Sequence, residues 1–310
     1  MFVRLAQLLL PVFSIIFIGG FCRYRNYINR DLVKYGNEAI FKVFLPLSLF
    51  LSIYRLDNIG KISLLPLCFL MSYTVLIFIL GWIYNTRLCR DVQTRSVMIQ
   101  SYIRPNLLLF GLPIAASYYT DQGYELVILN LLLMVPFVNI MALLCFELGI
   151  NGRVPLRTIA GNIMKNKIVT GAMAGLVCRL IGLEIPELFL KPVQSLSSVA
   201  GPLGLFLIGA GLSFQSVRKE GLCVADSVLW KNFLVPYTAI FIAVLLGLRG
   251  QSLFVIAIAL LSPVAISSYT YAIVYTNKDK LAAMLVMMTT LVSLGSVSLA
   301  FFVLMKYSLI

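Results

Sequence analysis

The chain has 310 residues, of which 60% are hydrophobic and 12% charged, and its mean hydropathy is +0.96. This balance excludes a water-soluble domain, because apolar runs near the ~20 residues that cross a bilayer recur from end to end. The net charge of +13 does not indicate a nucleic-acid partner, since the basic residues are spread over short loops between the apolar runs. An all-α polytopic protein of the lipid bilayer is therefore predicted.

The apolar runs predict ten transmembrane helices, with boundaries good to a few residues. Their approximate ranges are 2–22, 38–54, 62–84, 96–118, 124–148, 168–186, 193–213, 224–248, 252–274 and 281–305. The basic stretch 149–167 is the longest loop, and it separates a first five-helix repeat, 1–148, from a second, 168–310. Because five is odd, the two repeats insert in opposite orientations, as in transporters built from inverted repeats.

Lysine and arginine are distributed unequally between the two sides of the membrane. The loops after odd-numbered spans carry 15, the opposite side including both termini carries 6, and the other 4 of the 25 lie inside spans. The positive-inside rule therefore places the odd loops in the cytoplasm and both termini outside the cell (inner or plasma) membrane.

The fourth span, 96–118, cannot form one regular helix. Pro105 and Pro113 each remove a backbone donor, and Gly111 between them adds flexibility. The matching ninth span is interrupted around Pro263. Paired interruptions at corresponding places in two repeats indicate the binding site of a secondary transporter, with the two spans crossing near mid-membrane. The alternative is a pair of simple proline kinks, which membrane helices tolerate.

Polar residues at the two breaks are the candidates for substrate binding. The amide of Asn106 can donate to a carboxylate beside the free N–H groups of the break, or it can serve only as a capping or interhelical amide. Arg104 can bind a carboxylate in a bidentate way, or it can snorkel to the cytoplasmic interface. Three further candidates are expected to shape the crossover: Gly111, Pro113 and Pro263. Four others can line it with hydroxyl groups, or can hydrogen-bond only their own backbone: Ser262, Ser267, Ser268 and Tyr269.

Other polar residues within the spans are given structural interpretations. Glu147, Arg179 and Lys231 are interpreted as interfacial charges or an intramembrane pair, and Asn130 and Asn139 are expected to serve packing. Neither broken stretch contains Asp or Glu, so sodium coupling through a carboxylate at the crossover is not expected.

The residue types also argue against catalysis. Histidine is absent, which removes the usual general base and the commonest metal ligand. The six cysteines form no CxxC or other ligand spacing. We therefore expect no enzyme, no metal and no other cofactor.

Several segments match one family in the order of their elements. Asn106-Leu-Leu-Leu-Phe-Gly111-Leu-Pro113 reads as Asn, apolar residues, then Gly-hydrophobic-Pro, and Pro202-Leu-Gly-Leu-Phe-Leu-Ile-Gly209 reads as Pro-Leu-x-Leu-Phe-x-x-Gly. Further matches lie at 44–50, 171–175, 185–186 and 263–269. Together they resemble the auxin efflux carrier family over nearly the whole chain. The sequence departs from the family at Lys167, where a proline is usual, and at Arg104 beside the break.

This resemblance implies a ten-span carrier of small organic anions, such as mono- or dicarboxylates, that works by an elevator-like motion and often forms a homodimer. We predict a secondary transporter of this kind. Two alternatives stay open: a symporter or antiporter of similar fold coupled to Na⁺ or H⁺, and a membrane sensor that does not transport.

Overall fold

The regular structure is helical throughout the residues that the computed structural model describes, which are 2–55, 64–119, 122–152, 167–211 and 220–310. In chain order the α-helices are α1 (Phe2–Tyr24), α2 (Arg30–Ala39), α3 (Leu45–Tyr54), α4 (Leu65–Leu88), α5 (Val92–Ile103), α6 (Leu112–Tyr118), α7 (Gln122–Phe146), α8 (Lys167–Leu180), α9 (Glu187–Ala210), α10 (Gly221–Leu229), α11 (Val235–Leu245), α12 (Gly250–Leu261), α13 (Ser267–Tyr275) and α14 (Asp279–Lys306). Most of the predicted loop 149–167 lies outside the described residues.

Short π-helical turns join several of these helices end to end. They lie at Ile40–Phe44, Leu107–Gly111, Glu147–Asn151 and Trp230–Leu234. Three of the four come directly before a helix whose first turn contains proline: Pro46 in α3, Pro113 in α6 and Pro236 in α11. Proline cannot donate to the carbonyl one turn earlier, and a locally wider turn lets the chain stay helical past that missing bond.

Six helices among the described residues are long and apolar enough to cross a membrane. They are Asp31–Tyr54, Leu65–Leu88, Leu133–Ile150, Glu187–Ala210, Gly221–Leu245 and Asp279–Lys306. Shorter apolar helices lie at Leu10–Tyr24, Leu107–Tyr118, Thr170–Leu180 and Gly250–Leu261. An all-helical architecture with helices suited to a membrane is thus confirmed for the described residues, and the number of ten spans stays a prediction.

The second span begins earlier than predicted. Its helix starts at Arg30 instead of near residue 38, because Asn29 accepts a 2.8 Å hydrogen bond from the Leu32 N–H through its side-chain oxygen. Asparagine is among the best residues for capping a helix N-terminus. The first turns after it are polar, so hydropathy alone places the boundary too late.

The connection between α8 and α9 also differs from the prediction. The sixth span was predicted to reach residue 186, but α8 ends at Leu180 and Gly182 takes a left-handed φ of +67°. Glycine adopts that conformation readily, which makes it a common helix terminator. The next helix, α9, then begins at Glu187 directly after Pro186, rather than near 193.

Glycines allow two pairs of helices to approach closely. A methyl group at Gly171 or Gly175 of α8 would lie 2.5 Å from the carbonyl oxygen of Pro46 or Phe50 respectively, so α8 packs directly on the backbone of α3. Likewise, a methyl group at Gly209 of α9 would overlap the backbone of α1. Small residues four positions apart are a usual device for helix packing in membranes.

The two helices that lead into the breaks lie at the centre of the protein. In α5 every residue from Ser96 to Ile103 is buried, and in α12 every residue from Leu253 to Leu261 is buried. A helix that is enclosed on all sides packs against other helices instead of lipid. The ends of both helices are therefore held inside the protein.

A crossover of two interrupted helices as the candidate substrate site

The fourth and ninth predicted spans are both interrupted, and the interruptions meet. Residues 104–106 separate α5 from the π-helical turn that precedes α6, and residues 262–266 separate α12 from α13. At the meeting point Pro105 and Val264 form an isolated antiparallel bridge. Both segments are extended there, so neither break is only a bend in a continuous helix.

Two backbone hydrogen bonds join the segments. The Asn106 N–H donates to the carbonyl of Pro263 at 2.7 Å, and the Ala265 N–H donates to the carbonyl of Arg104 at 3.0 Å. Groups that a helix would have used internally thus satisfy one another across the two breaks. This is how irregular backbone is tolerated at membrane depth, where water is scarce and an unpaired amide is expensive.

Asn106 starts the second half of its span. Its side-chain oxygen accepts from the Leu109 N–H at 3.3 Å, and only 6% of the residue is exposed. Its NH₂ group makes no hydrogen bond within the described parts of the chain. The capping interpretation therefore accounts for the oxygen of the amide and leaves its two N–H donors available.

The residues after Asn106 form a wide, π-helical turn. The N–H groups of Phe110 and Gly111 both reach the Asn106 carbonyl, at 3.3 and 3.2 Å, which defines the π-helical turn. Pro113 follows in the first turn of α6 and lies opposite Gly201 of α9. Gly111 and Pro113 thus shape the turn, and neither brings a polar side chain to it.

Arg104 does not snorkel to an interface. Its side chain is buried, with Nη2 donating to Asn139 Oδ1 at 2.7 Å and Nη1 donating to the Ser267 carbonyl at 3.4 Å. The guanidinium carbon lies 4.1 Å from the ring centroid of Tyr271. Asn139, expected to serve packing, is therefore a partner of this arginine, and Tyr271 is a partner that sequence reasoning did not identify.

The four hydroxyl candidates of the second half differ in their surroundings. Ser262 is buried and donates to the Ile258 carbonyl of its own helix at 2.7 Å. Ser268 is buried and its hydroxyl has no partner among the described residues. Ser267 contributes its carbonyl to the crossover, and Tyr269 is 38% exposed. Of the four, Ser268 has the hydroxyl that is both buried and free to bind.

Lys231 corrects the sequence interpretation. It is neither interfacial nor paired with an acid, because its side chain is fully buried and its hydrogen bond goes to the Leu260 carbonyl at 3.2 Å. No carboxylate of the described residues lies within ion-pair distance of it. A polar partner in the backbone leaves no signature in the sequence, which is why the arrangement could not be inferred.

A carboxylate in the eighth predicted span was also missed. Asp226 of α10 accepts hydrogen bonds from Tyr84 and Tyr102, each at 2.8 Å. Tyr102 in turn stacks on Trp230. The signal that would have indicated this cluster is the single acid within an otherwise apolar run.

Comparison with known families identifies the chain. The model of a membrane transport protein family matches residues 5–154 and again residues 153–302. The two matches together cover nearly the whole sequence, and they confirm the resemblance that the motifs carry. Among curated proteins, none matches the chain. The chain therefore belongs to the membrane transport protein family that includes the auxin efflux carriers.

Proposed function

We propose that the protein is a secondary transporter of small organic anions, mono- or dicarboxylates among them, and that it works by alternating access of the elevator type. The observation that carries the proposal is the pair of cationic and amide donors at the crossover. In the part of the chain that the structure describes, the NH₂ group of Asn106 is unused and Arg104 has no acidic partner. A buried guanidinium with an uncompensated charge favours an anion, and its planar fork matches a carboxylate.

The surroundings of this pair support the same ligand. The hydroxyl of Ser268 lacks a partner among the described residues and adds a third donor from the second half of the chain. Asn106 stands at the start of the helical segment Leu107–Tyr118, where backbone N–H groups carry partial positive charge. A carboxylate at this point would meet donors from both breaks, which is the arrangement that binding between two repeats requires.

The proposal includes ten spans in two inverted repeats, 1–148 and 168–310, joined by the loop 149–167, with both termini outside. Contacts between the ends of helices agree with this topology. The hydroxyl of Tyr54, the last residue of the second predicted span, donates to the Leu183 carbonyl in the connection α8–α9, near the end of the sixth predicted span. On the other side Asp91, after the third span, pairs with Lys278, after the ninth. The connections after even-numbered spans thus contact one another, and so do the connections after odd-numbered spans. A homodimer in the cell membrane completes the proposal.

The first test is a thermal-shift screen of the purified protein with mono- and dicarboxylates. Asn106→Ala removes both the cap and the donors, whereas Asn106→Asp keeps the capping oxygen and replaces the NH₂ group by a second oxygen. A carboxylate that stabilises the wild type is expected to stabilise neither variant. Asn37→Ala, which removes an asparagine of α2 that bonds its own helix, is the matched control and should keep the response.

Each other result of the screen has a defined meaning. An unchanged response in Asn106→Ala would remove this residue from the site. Stabilisation by sodium, with none by any anion, would favour the cation-coupled alternative. An anion that binds but shows no counterflow in proteoliposomes would favour a sensor that does not transport.

A further inference from the structure

Among the described residues, the most deeply buried charged side chain is a lysine at the level of the second break. Lys231 lies in the π-helical turn Trp230–Leu234, in the middle of the apolar segment Gly221–Leu245, and none of its surface is exposed. Within the described residues its single hydrogen bond goes to the Leu260 carbonyl, in the last turn of α12. Burial of an ammonium is strongly unfavourable, and one neutral hydrogen bond offsets only part of that cost.

The last turn of α12 is short of donors because of the break. Pro263 has no N–H group, the Val264 N–H donates to the side-chain oxygen of Thr289 at 3.1 Å, and the Ala265 N–H donates to the carbonyl of Arg104. In an uninterrupted helix, backbone N–H groups at these three positions would have donated to the last carbonyls of α12. The last carbonyls of α12 therefore lack these donors in the protein interior, at the negative end of the helix dipole.

Acidic side chains do not compensate the charge. Outside its own segment the turn packs mainly against α5, α12 and α14, and Tyr84 of α4 contacts it through Trp230. The charged residues of these helices are Arg87 on α4, Arg95 on α5, and Asp279, Lys280 and Lys306 at the ends of α14, whereas α12 has none. On its own segment the nearest acid in sequence is Asp226, which two tyrosine hydroxyls occupy. In the described parts of the chain, the groups that favour a cation at this position are thus backbone carbonyls.

In cation-coupled transporters, carbonyls at unwound helix ends are the groups that coordinate the transported ion. We propose that the Lys231 ammonium is a tethered cation, which occupies the place at the end of α12 that a sodium ion would otherwise fill. The carrier then needs no sodium to transport its anion, because the chain itself provides the positive charge that balances the anion. This consequence for transport rests on the proposed function, whereas the occupancy of the cation position does not.

The occupancy is tested by emptying the position. Lys231→Ala leaves a space beside the Leu260 carbonyl, and we expect sodium or n-propylammonium chloride to raise the melting temperature of this variant by a few degrees relative to choline chloride. The wild type should melt at the same temperature in all three salts. Lys42→Ala is the matched control, since Lys42 also lies in a π-helical turn directly before a helix that begins with a proline, Pro46, but is exposed. A folded Lys231→Ala protein that responds to neither cation, or a wild type that responds to sodium, would overturn the proposal.

A second variant tests whether Lys231 acts as a cation in transport or only as a packing residue, and its result does not depend on Lys231→Ala. Lys231→Met keeps most of the volume, so we expect it to fold. It should bind the anion that stabilises the wild type at least tenfold more weakly, with or without sodium. Wild-type anion affinity in Lys231→Met would show that the ammonium has no part in transport and would also overturn the proposal. If no anion stabilises the wild type, the proposed function fails, but the cation test on Lys231→Ala still decides the occupancy.

Discussion

The backbone N–H of Asn106 donates a 2.7 Å hydrogen bond to the carbonyl of Pro263, and this bond links the two halves of the chain at the point where each is interrupted. Asn106 follows Pro105, so both partners lie at positions where proline prevents a helix from continuing. The amide freed at one break is satisfied by a carbonyl freed at the other. A substitution of either proline should therefore alter the backbone hydrogen bonds at both breaks.

Pro263→Ala tests this coupling. The substitution restores an N–H group that can bond the Ala259 carbonyl, which favours one more turn of α12 and draws the carbonyl of residue 263 away from Asn106. We expect anion affinity to fall about tenfold, or about 1.4 kcal/mol, with little change in melting temperature. Pro192→Ala is the matched control, because Pro192 also lies inside a helix but is exposed. Equal affinity in the wild type and Pro263→Ala would mean that tertiary packing alone holds the break.

The bond between Arg104 and Asn139 is open to a double-mutant cycle. Arg104→Met leaves the half-buried Asn139 oxygen without its donor, and Asn139→Ala leaves the guanidinium without its shortest hydrogen bond, which is 2.7 Å. Each change should lower the free energy of unfolding by about 1–3 kcal/mol. Because the two residues share one bond, we expect an interaction energy above about 0.5 kcal/mol in chemical unfolding of the detergent-solubilised protein. Strict additivity of the two losses would show that the contact contributes nothing to stability.

The sequence was sufficient to predict both breaks, since proline and glycine act on the backbone locally and in a known way. It could not predict that the Asn106 amide bonds the Pro263 carbonyl, because no side chain records which backbone groups meet. The position of Arg104 eight residues into its predicted span left two environments open, and only the packing of Asn139 and Tyr271 against it distinguishes them. The environment of Lys231 was predicted wrongly for a similar reason: its partner is a backbone carbonyl, which the sequence does not reveal.

The glycines of α8 provide a prediction about packing. Gly171→Ala and Gly175→Ala each place a methyl group 2.5 Å from a carbonyl oxygen of α3, so the two helices must move apart. Overpacking of this kind should destabilise the protein by about 1–3 kcal/mol, measured as a lower melting temperature in detergent. Gly295→Ala in α14 is the control, because a methyl group added there has no described atom within 4 Å, and it should be neutral or stabilising. Wild-type stability in both α8 variants would contradict the close contact.

Asp91 and Lys278 give a prediction about pH outside the membrane. The Asp91 carboxylate caps α5, accepting from the Gln93 N–H at 3.2 Å and the Thr94 hydroxyl at 2.7 Å, and lies 3.0 Å from the Lys278 ammonium. The Thr94 hydroxyl first, and Lys278 after it, hold the pKa of Asp91 below its usual range, although partial burial acts in the opposite direction. A lowered folded-state pKa means that the carboxylate stabilises the fold above its unfolded-state pKa of about 3.9, and that this contribution is lost as the pH falls through the folded-state value.

Asp91→Asn should therefore differ from the wild type at neutral pH and converge with it in acid. Asparagine is an equally good cap, so the difference reports the charge, and it should stay below about 1 kcal/mol because 47% of the Asp91 side chain is exposed and screened by solvent. Asp91→Ala loses the cap as well and should be less stable by about a further 1 kcal/mol at any pH. Melting temperatures of the three proteins at pH 7 and below pH 4, in low and high salt, provide the measurement. A difference between wild type and Asp91→Asn that persists unchanged in acid and in high salt would show that the ion pair is not its source.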